Sequence, residues 1–85
     1  MKLIDTVEMM NSENYKERFL AEYAQLNIRI KGLSDMLDKY KEGTLTFKPS
    51  CSYELLHTQL VHMKDYRRTL EHRAFVEKMP LYKVK

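Results

Sequence analysis

Apolar residues recur along the first half of the chain at helical spacing. From Phe19 onward they are separated by alternating steps of four and three residues, at Phe19, Tyr23, Leu26, Ile30, Leu33, Leu37 and Tyr40. This 3.5-residue period predicts an amphipathic helix over about residues 13–42, whose apolar face packs against other helices. Ser12 is the predicted N-cap, and Gly43 is the predicted left-handed residue at the end of the helix.

A second helix is predicted in the other half of the chain, with a less regular seam. The alternating "TLTF" and Pro49 predict a short extended linker over residues 43–50. The helix then covers about residues 52–79, capped by Ser52 and stopped by Pro80. The sequence therefore predicts one all-α domain over residues 1–85, folded as an antiparallel two-helix hairpin. Steps of three and four residues give the predicted seam of the second helix as Leu56, Gln59, Met63, Tyr66, Leu70 and Arg73.

The small size of the chain favours self-association. A chain of 85 residues buries a limited core and usually needs a disulfide, a metal or a partner copy. Cys51 is the only cysteine, and the three histidines lack the spacing of a ligand pair on one helix face. We therefore expect no metal and no cofactor, and an oligomer formed through the helices. The heptad face of the first helix is expected to be too long for one partner helix to cover.

Charge is distributed unevenly between the two halves. Residues 1–42 carry 7 Lys/Arg and 8 Asp/Glu, whereas residues 43–85 carry 8 and 4. The second half could attract an anion, but it lacks the dense basic run of a DNA-binding arm, so a small phosphorylated ligand fits better. No signal-peptide core and no membrane-length apolar run occur in the sequence. We expect a cytoplasmic protein that binds neither membrane nor DNA.

Two arginines are candidate phosphate ligands. Arg73 offers a planar fork that matches two phosphate oxygens, but it could equally form a salt bridge with Glu77 or with an acid of the first helix. Arg67 could supply a second phosphate contact or belong to a solvated face. The sequence leaves both alternatives open.

Neutral side chains in the same helix are candidates for binding a nucleobase. Tyr66 could stack on a base or lie in the core, and Gln59 could bond to a base edge or set the register of an oligomer. Met63 lies between them in the seam. No phosphate-binding loop, dinucleotide-binding or zinc pattern is present, and Cys51 and His57 lack a third orienting group. We therefore expect no enzymatic activity and no catalytic residues.

The second half resembles a group of small phage proteins. Their pattern C-P-x-x-L-L-x-x-Q-x-x-x-M-x-x-Y-x-x-x-L-x-x-R-A is matched at Cys51, Leu55, Leu56, Gln59, Met63, Tyr66, Leu70, Arg73 and Ala74. The preceding "FLAEYAQLNIRIKGLSDML" is similar to the helix before this motif. The characterised group that the chain resembles is the Thoeris anti-defence sponge family. Ser52 stands where the pattern usually has proline, and the chain is too short for the extra β structure of that family.

This resemblance implies a binding function inside an infected bacterium. Such sponges are helical oligomers that trap cyclic ADP-ribose signals, and some hold cyclic oligonucleotides. For this chain it implies an assembly such as a hexamer in the host bacterial cytoplasm. The ligand-binding residues expected on this basis and from the seam are Gln59, Met63, Tyr66, Arg67 and Arg73. Two alternatives remain open: a small inhibitor that binds a host defence or CRISPR enzyme through a helix face, and a phage scaffold component.

Overall fold

The computed structural model describes residues 1–84, and for Lys83 the backbone only. A 3-10 turn at Leu3–Thr6 leads into the short helix α1, Val7–Met10. Two long helices follow, α2 at Tyr15–Glu42 and α3 at Tyr53–Glu77, and a 3-10 turn at Leu81–Lys83 comes last. Every regular element in this part of the chain is helical, which confirms the predicted all-α class.

The start of α2 differs from the prediction. Asn14, and not Ser12, is the N-cap, because its side-chain Oδ1 accepts a bond of 2.9 Å from the Lys16 backbone N–H. Ser12 instead accepts a bond of 3.0 Å from the Asn14 N–H and so shapes the turn before the helix. At the other end, Gly43 has the predicted left-handed conformation, with φ of 78°.

Helix α3 starts as predicted but ends earlier. Its N-cap is Ser52, whose Oγ accepts a bond of 3.1 Å from the Leu55 N–H. The helix stops at Glu77 rather than Met79, since Lys78 is left-handed with φ of 57° and the Met79 N–H bonds to the Ala74 carbonyl at 2.8 Å. This closing pattern turns the chain sharply and places Met79 in the core.

The two long helices lie side by side and run in opposite directions. At one end Tyr15 bonds to Glu77, and at the other the rings of Tyr40 and Tyr53 are 5.7 Å apart. Between these ends, Tyr23 of α2 bonds to a residue of α3. Residues early in α2 therefore contact residues late in α3, and residues late in α2 contact residues early in α3. The contact extends over nearly the full length of both helices.

The heptad face of α2 supplies most of the core. Phe19, Tyr23, Leu26, Ile30 and Leu37 are buried. The other two members of the predicted face, Leu33 and Tyr40, are half-buried. The length of this face is covered within the chain, by α3 and by the terminal turns. It therefore offers no reason for oligomerisation.

The seam of α3 is shifted by one residue from the predicted one. Helix α3 turns a partly different face toward α2. Its buried or half-buried positions are Tyr53, Leu56, Leu60, Met63, Arg67, Leu70, Glu71 and Ala74. Gln59, Tyr66 and Arg73 are exposed. Steps of three or four residues from Leu56 fit both the predicted and the observed face of α3. The observed face is favoured because it buries the apolar side chains of Leu60 and Ala74.

Both chain ends pack onto α2. Thr6 is fully buried, and its Oγ accepts a bond of 2.9 Å from the Gln25 side-chain amide. Near the other end, Val84 is buried and Leu81 packs against the core. The linker between α2 and α3 contains bends and no strand, and Phe47 within it remains 57% exposed. The terminal turns, which the sequence pattern does not predict to be helical, therefore complete the core.

Candidate functional site

A shallow groove follows the outer side of α3. It has a volume of about 530 Å³ and is lined by Cys51, Leu55, Leu56, Thr58, Gln59, His62, Met63 and Tyr66. None of these residues is an aspartate, glutamate, lysine or arginine, although 32% of the chain is of these types. The groove is therefore a neutral, mainly apolar surface on an otherwise charged molecule.

Three of the five predicted ligand-binding residues meet in this groove. Gln59, Met63 and Tyr66 occupy successive turns of α3, where residues three and four apart are neighbours. Tyr66 is 45% exposed, so much of its ring is accessible to solvent. The Gln59 amide nitrogen has only a weak contact of 3.8 Å with the Met63 sulfur among the described residues. Most of its hydrogen-bonding capacity is thus free to bind a ligand.

Arg67 lies on a different side of α3 and does not line the groove. Its half-buried guanidinium donates a bond of 3.3 Å from Nη1 to Asn27 Oδ1 of α2. It borders a second depression of about 420 Å³, shared with Tyr23, Lys31, Glu71 and two further residues of α2. Two cations and one carboxylate make this depression polar, in contrast to the groove.

Tyr23 and Glu71 form a partly buried polar contact among the residues that line this depression. The Tyr23 hydroxyl donates a bond of 2.7 Å to Glu71 Oε2. Burial raises the pKa of Tyr23 above its usual value of 10.0, and the bond to Glu71 raises it further. The tyrosine is therefore a neutral donor at physiological pH.

Arg73 is held by three neighbours at the far end of the helix pair. Its Nη2 donates a bond of 2.6 Å to the Tyr15 hydroxyl, and its Nε lies 3.6 Å from Glu77 Oε2. Its guanidinium carbon stands 4.8 Å from the centre of the Phe19 ring. The ion pair with Glu77 is thus formed, but Arg73 is not inside an apolar seam, and its side chain is 45% exposed.

The groove and Arg73 lie on one stripe of α3. Gln59, Tyr66 and Arg73 are seven residues apart in sequence, which is close to two helical turns, so they point to nearly the same side. Tyr66 and Arg73 are separated by roughly 10 Å along the helix axis. A ligand of nucleotide size could contact both.

Some residues of the site were not singled out in the sequence. Tyr15 and Phe19 contact Arg73 from α2, a pairing that depends on how the helices align. Leu55 and His62 also line the groove. They lie seven residues apart, and this spacing is the signal by which the sequence could have placed them on one side of α3. Within residues 1–84, no group of three histidine, cysteine or acidic side chains is arranged to hold a metal ion. No helix in this range is long and apolar enough to cross a membrane.

The fold and the groove define an all-helical protein with a groove on one helix that no aspartate, glutamate, lysine or arginine lines. The chain belongs to the Sequestin family, whose profile it matches over residues 13–76. That range contains all of α2, nearly all of α3 and every predicted ligand-binding residue. Comparison with curated proteins and with solved structures gives no significant match.

Proposed function

We propose that this protein binds and sequesters a cyclic nucleotide immune signal without cleaving it. The ligand class is a cyclic ADP-ribose isomer or a cyclic oligonucleotide, and the setting is the host bacterial cytoplasm during phage infection. The family name Sequestin is compatible with sequestration. The proposal extends the resemblance to the Thoeris anti-defence sponges noted in the sequence.

The observation that carries this proposal is the neutral groove in which Gln59, Met63 and Tyr66 converge. An accessible tyrosine ring can stack on any nucleobase, an interaction worth about 1–3 kcal/mol. The neighbouring amide can bond to the base edge, and the Met63 side chain adapts to an irregular apolar surface. In this arrangement the base lies on Tyr66 and binding requires no bond cleavage.

Phosphate groups are assigned to the two arginines. Arg73 lies on the same stripe as Tyr66, and its side chain is 45% exposed, so a phosphate can compete with Glu77 for the guanidinium fork. Arg67 has no carboxylate within ion-pair distance among the described residues, and it can contact a second phosphate at the edge of α3. The excess of basic residues in the second half of the chain attracts such a ligand.

A homo-oligomer completes the site. The groove is formed by one helix and by Cys51, two residues before that helix, whereas ligand sites usually enclose 70–90% of the ligand surface. A second copy of the helical hairpin, in a dimer or in an assembly such as a hexamer, would close the open side. Enclosure by the partner would also exclude water and strengthen the phosphate contacts.

Isothermal titration with cyclic ADP-ribose isomers and with cyclic di- and trinucleotides tests the proposal. We expect one or more ligands to bind, and Tyr66→Ala to weaken that binding by roughly ten- to a hundredfold through loss of stacking. Tyr82→Ala is the matched control, since Tyr82 is 77% exposed and lies outside the groove. Equal affinity of the two variants would contradict the proposed site.

A second candidate function is inhibition of a host defence or CRISPR enzyme through an exposed helix face. Phe75 and Val76, adjacent on α3, are 84% and 67% exposed, and a protein partner could cover them. The titration separates the two functions. Absence of heat with every nucleotide favours the inhibitor, whereas saturable binding favours the sponge.

A further inference from the structure

Gly32 occupies a position in α2 at which the chain itself has no need for glycine. It lies in the interior of a 28-residue helix, where glycine is less favourable than alanine because of its backbone freedom. A Cβ added at this position would meet no described atom within 4 Å, and the helix is not left-handed here. Neither backbone conformation nor packing within one chain explains the residue. Close approach of another molecule would explain it.

The surface around Gly32 is a groove of its own, separate from the groove on α3. It has a volume of about 370 Å³, and α2 and linker residues 44–47 form its walls. Met36 lines it, and Ile28, one turn before Gly32, is half-buried on the same side of α2. Phe47, which is 57% exposed, borders the groove from the linker. Apolar groups thus flank the glycine on both sides.

The residues around Gly32 complement their own copy in a two-fold arrangement. If two α2 helices cross antiparallel at Gly32, the residue three positions before it on one copy faces the residue three positions after it on the other. Arg29 then faces Asp35 of the second copy, and the pair occurs twice because the interface is symmetric. At four positions, Ile28 of one copy lies at the same level along the helix axis as Met36 of the other. Opposite charges are therefore matched, and apolar side chains lie next to them.

The exposed charges are free to make these contacts. Arg29 is exposed and has no carboxylate within ion-pair distance among the described residues. Asp35 forms only an exposed pair with Lys31 of its own helix, at 3.0 Å, and pairs of this kind are weak. A parallel crossing would instead place Arg29 near Arg29 of the other copy. The self-complementarity therefore favours the antiparallel arrangement.

We infer that Gly32 marks a self-association surface, at which a second copy of this chain packs its α2 antiparallel across the first. This surface lies on α2, away from the groove on α3. This contact is distinct from the one that would close the groove on α3 in the proposed function, and it does not depend on the nature of the ligand.

Sedimentation velocity of the purified protein over a range of micromolar concentrations tests this interface. We expect the wild-type protein to associate, and Gly32→Leu to weaken association by roughly tenfold or more, since the larger side chain prevents the close approach. Leucine is a better helix former than glycine, so thermal unfolding of this variant should occur at the same or a higher temperature. Asp38→Leu, an exposed position on another side of α2, is the control and should associate as the wild type does.

Charge exchange tests the antiparallel register. Arg29→Asp and Asp35→Arg should each weaken association because like charges then face each other, and the double variant R29D/D35R should restore it. The double variant has the same net charge as the wild type. A wild-type monomer at all concentrations, unchanged association of Gly32→Leu, or failure of the double variant to restore association would each overturn the inference.

Nucleotide titration of the same variants gives a separate result. A chain that associates through Gly32 and binds no nucleotide upholds this interface and overturns the proposed function. A chain that binds nucleotide with no effect of Gly32→Leu on association overturns the interface alone.

Discussion

Arg73 shows how one side chain can serve both structure and binding. Its contacts with Tyr15, Glu77 and Phe19 connect the two long helices at one end of the molecule. Its side chain is also 45% exposed and lies in line with Tyr66. A phosphate that reached the guanidinium would replace Glu77, a partner whose ion pair is partly exposed and therefore weak.

Substitution of Arg73 separates its contribution to stability from its proposed contribution to phosphate binding. We expect Arg73→Ala to lower the free energy of unfolding by about 1 kcal/mol, mainly through loss of the contacts with Tyr15 and Phe19, and to abolish nucleotide binding. Arg73→Lys should bind weakly because a single ammonium cannot replace the fork. Glu77→Gln removes the competing carboxylate, so nucleotide affinity should stay equal or rise. Titration and urea unfolding measure both properties, and a folded Arg73→Ala protein with wild-type affinity would exclude the phosphate contact.

Tyr23 makes the free energy of unfolding depend on pH in the alkaline range. Because burial and Glu71 raise its folded pKa above 10.0, the unfolded chain loses this proton at lower pH than the folded chain does. The stabilisation is complete below about pH 10, the unfolded value, and is lost as pH rises through the folded pKa. Tyr23→Phe should cost about 1 kcal/mol at pH 8. The stability difference between wild type and variant should shrink above pH 10 in urea unfolding, and a constant difference would contradict this account.

At the scale of elements, the two long helices differ in how far the sequence determines their packing. The buried face of α2 follows from its pattern, because an apolar residue occupies each of the two core positions of every heptad from Phe19 to Tyr40. In α3 two neighbouring stripes, Gln59–Tyr66–Arg73 and Leu60–Arg67–Ala74, have the same spacing and each contains one arginine. Periodicity does not choose between them. The choice depends on which residues of α2 lie opposite, such as Asn27, which bonds to Arg67.

Paired alanine substitutions test the observed seam of α3. Leu60→Ala should lower the free energy of unfolding by about 2–5 kcal/mol, because Leu60 is 6% exposed and the substitution leaves a cavity. Leu55→Ala, at a position that is 59% exposed, should change it by less than about 0.5 kcal/mol. Leu55 lines the groove, so the second variant should instead weaken ligand binding. Equal destabilisation by both substitutions, measured by urea unfolding, would contradict the seam.

The start of α2 can be tested in the same way. Asn14→Ala should cost about 1 kcal/mol, since it removes the side-chain bond to the Lys16 N–H. Ser12→Ala should cost less, because its hydroxyl supports only the preceding turn. Circular dichroism with thermal unfolding measures both. The reverse order would place the helix start at residue 13, where the sequence pattern predicted it.

At the scale of the whole molecule, parts of the fold depend on contacts that no local pattern reveals. Thr6 is buried because Gln25, nineteen residues later in sequence, bonds to its hydroxyl. Six of the first ten residues are apolar, but the segment is too short to show a helical period, yet α1 packs on α2. The candidate site was partly foreseen, since Gln59, Met63 and Tyr66 share the groove. Arg67 lies elsewhere because the true seam is rotated toward it.

The two grooves divide the molecule into surfaces with different proposed roles. The neutral groove on α3 is the proposed ligand site, and the surface around Gly32 on α2 is the proposed contact with a second copy. In this proposal, helix α2 contacts α3 on one side and the partner on another. Self-association would increase the number of ligand sites in one assembly, as the proposed stoichiometric sequestration requires.

Sequestration without cleavage is tested most directly by mass spectrometry of small molecules. These are released by heat from the protein after its purification from bacteria with active cyclic nucleotide signalling. We predict an intact cyclic nucleotide in near-stoichiometric amount with the wild-type protein, and its loss with Tyr66→Ala but not with Tyr82→Ala. Absence of any nucleotide, or recovery of a linear product only, would contradict sequestration without cleavage.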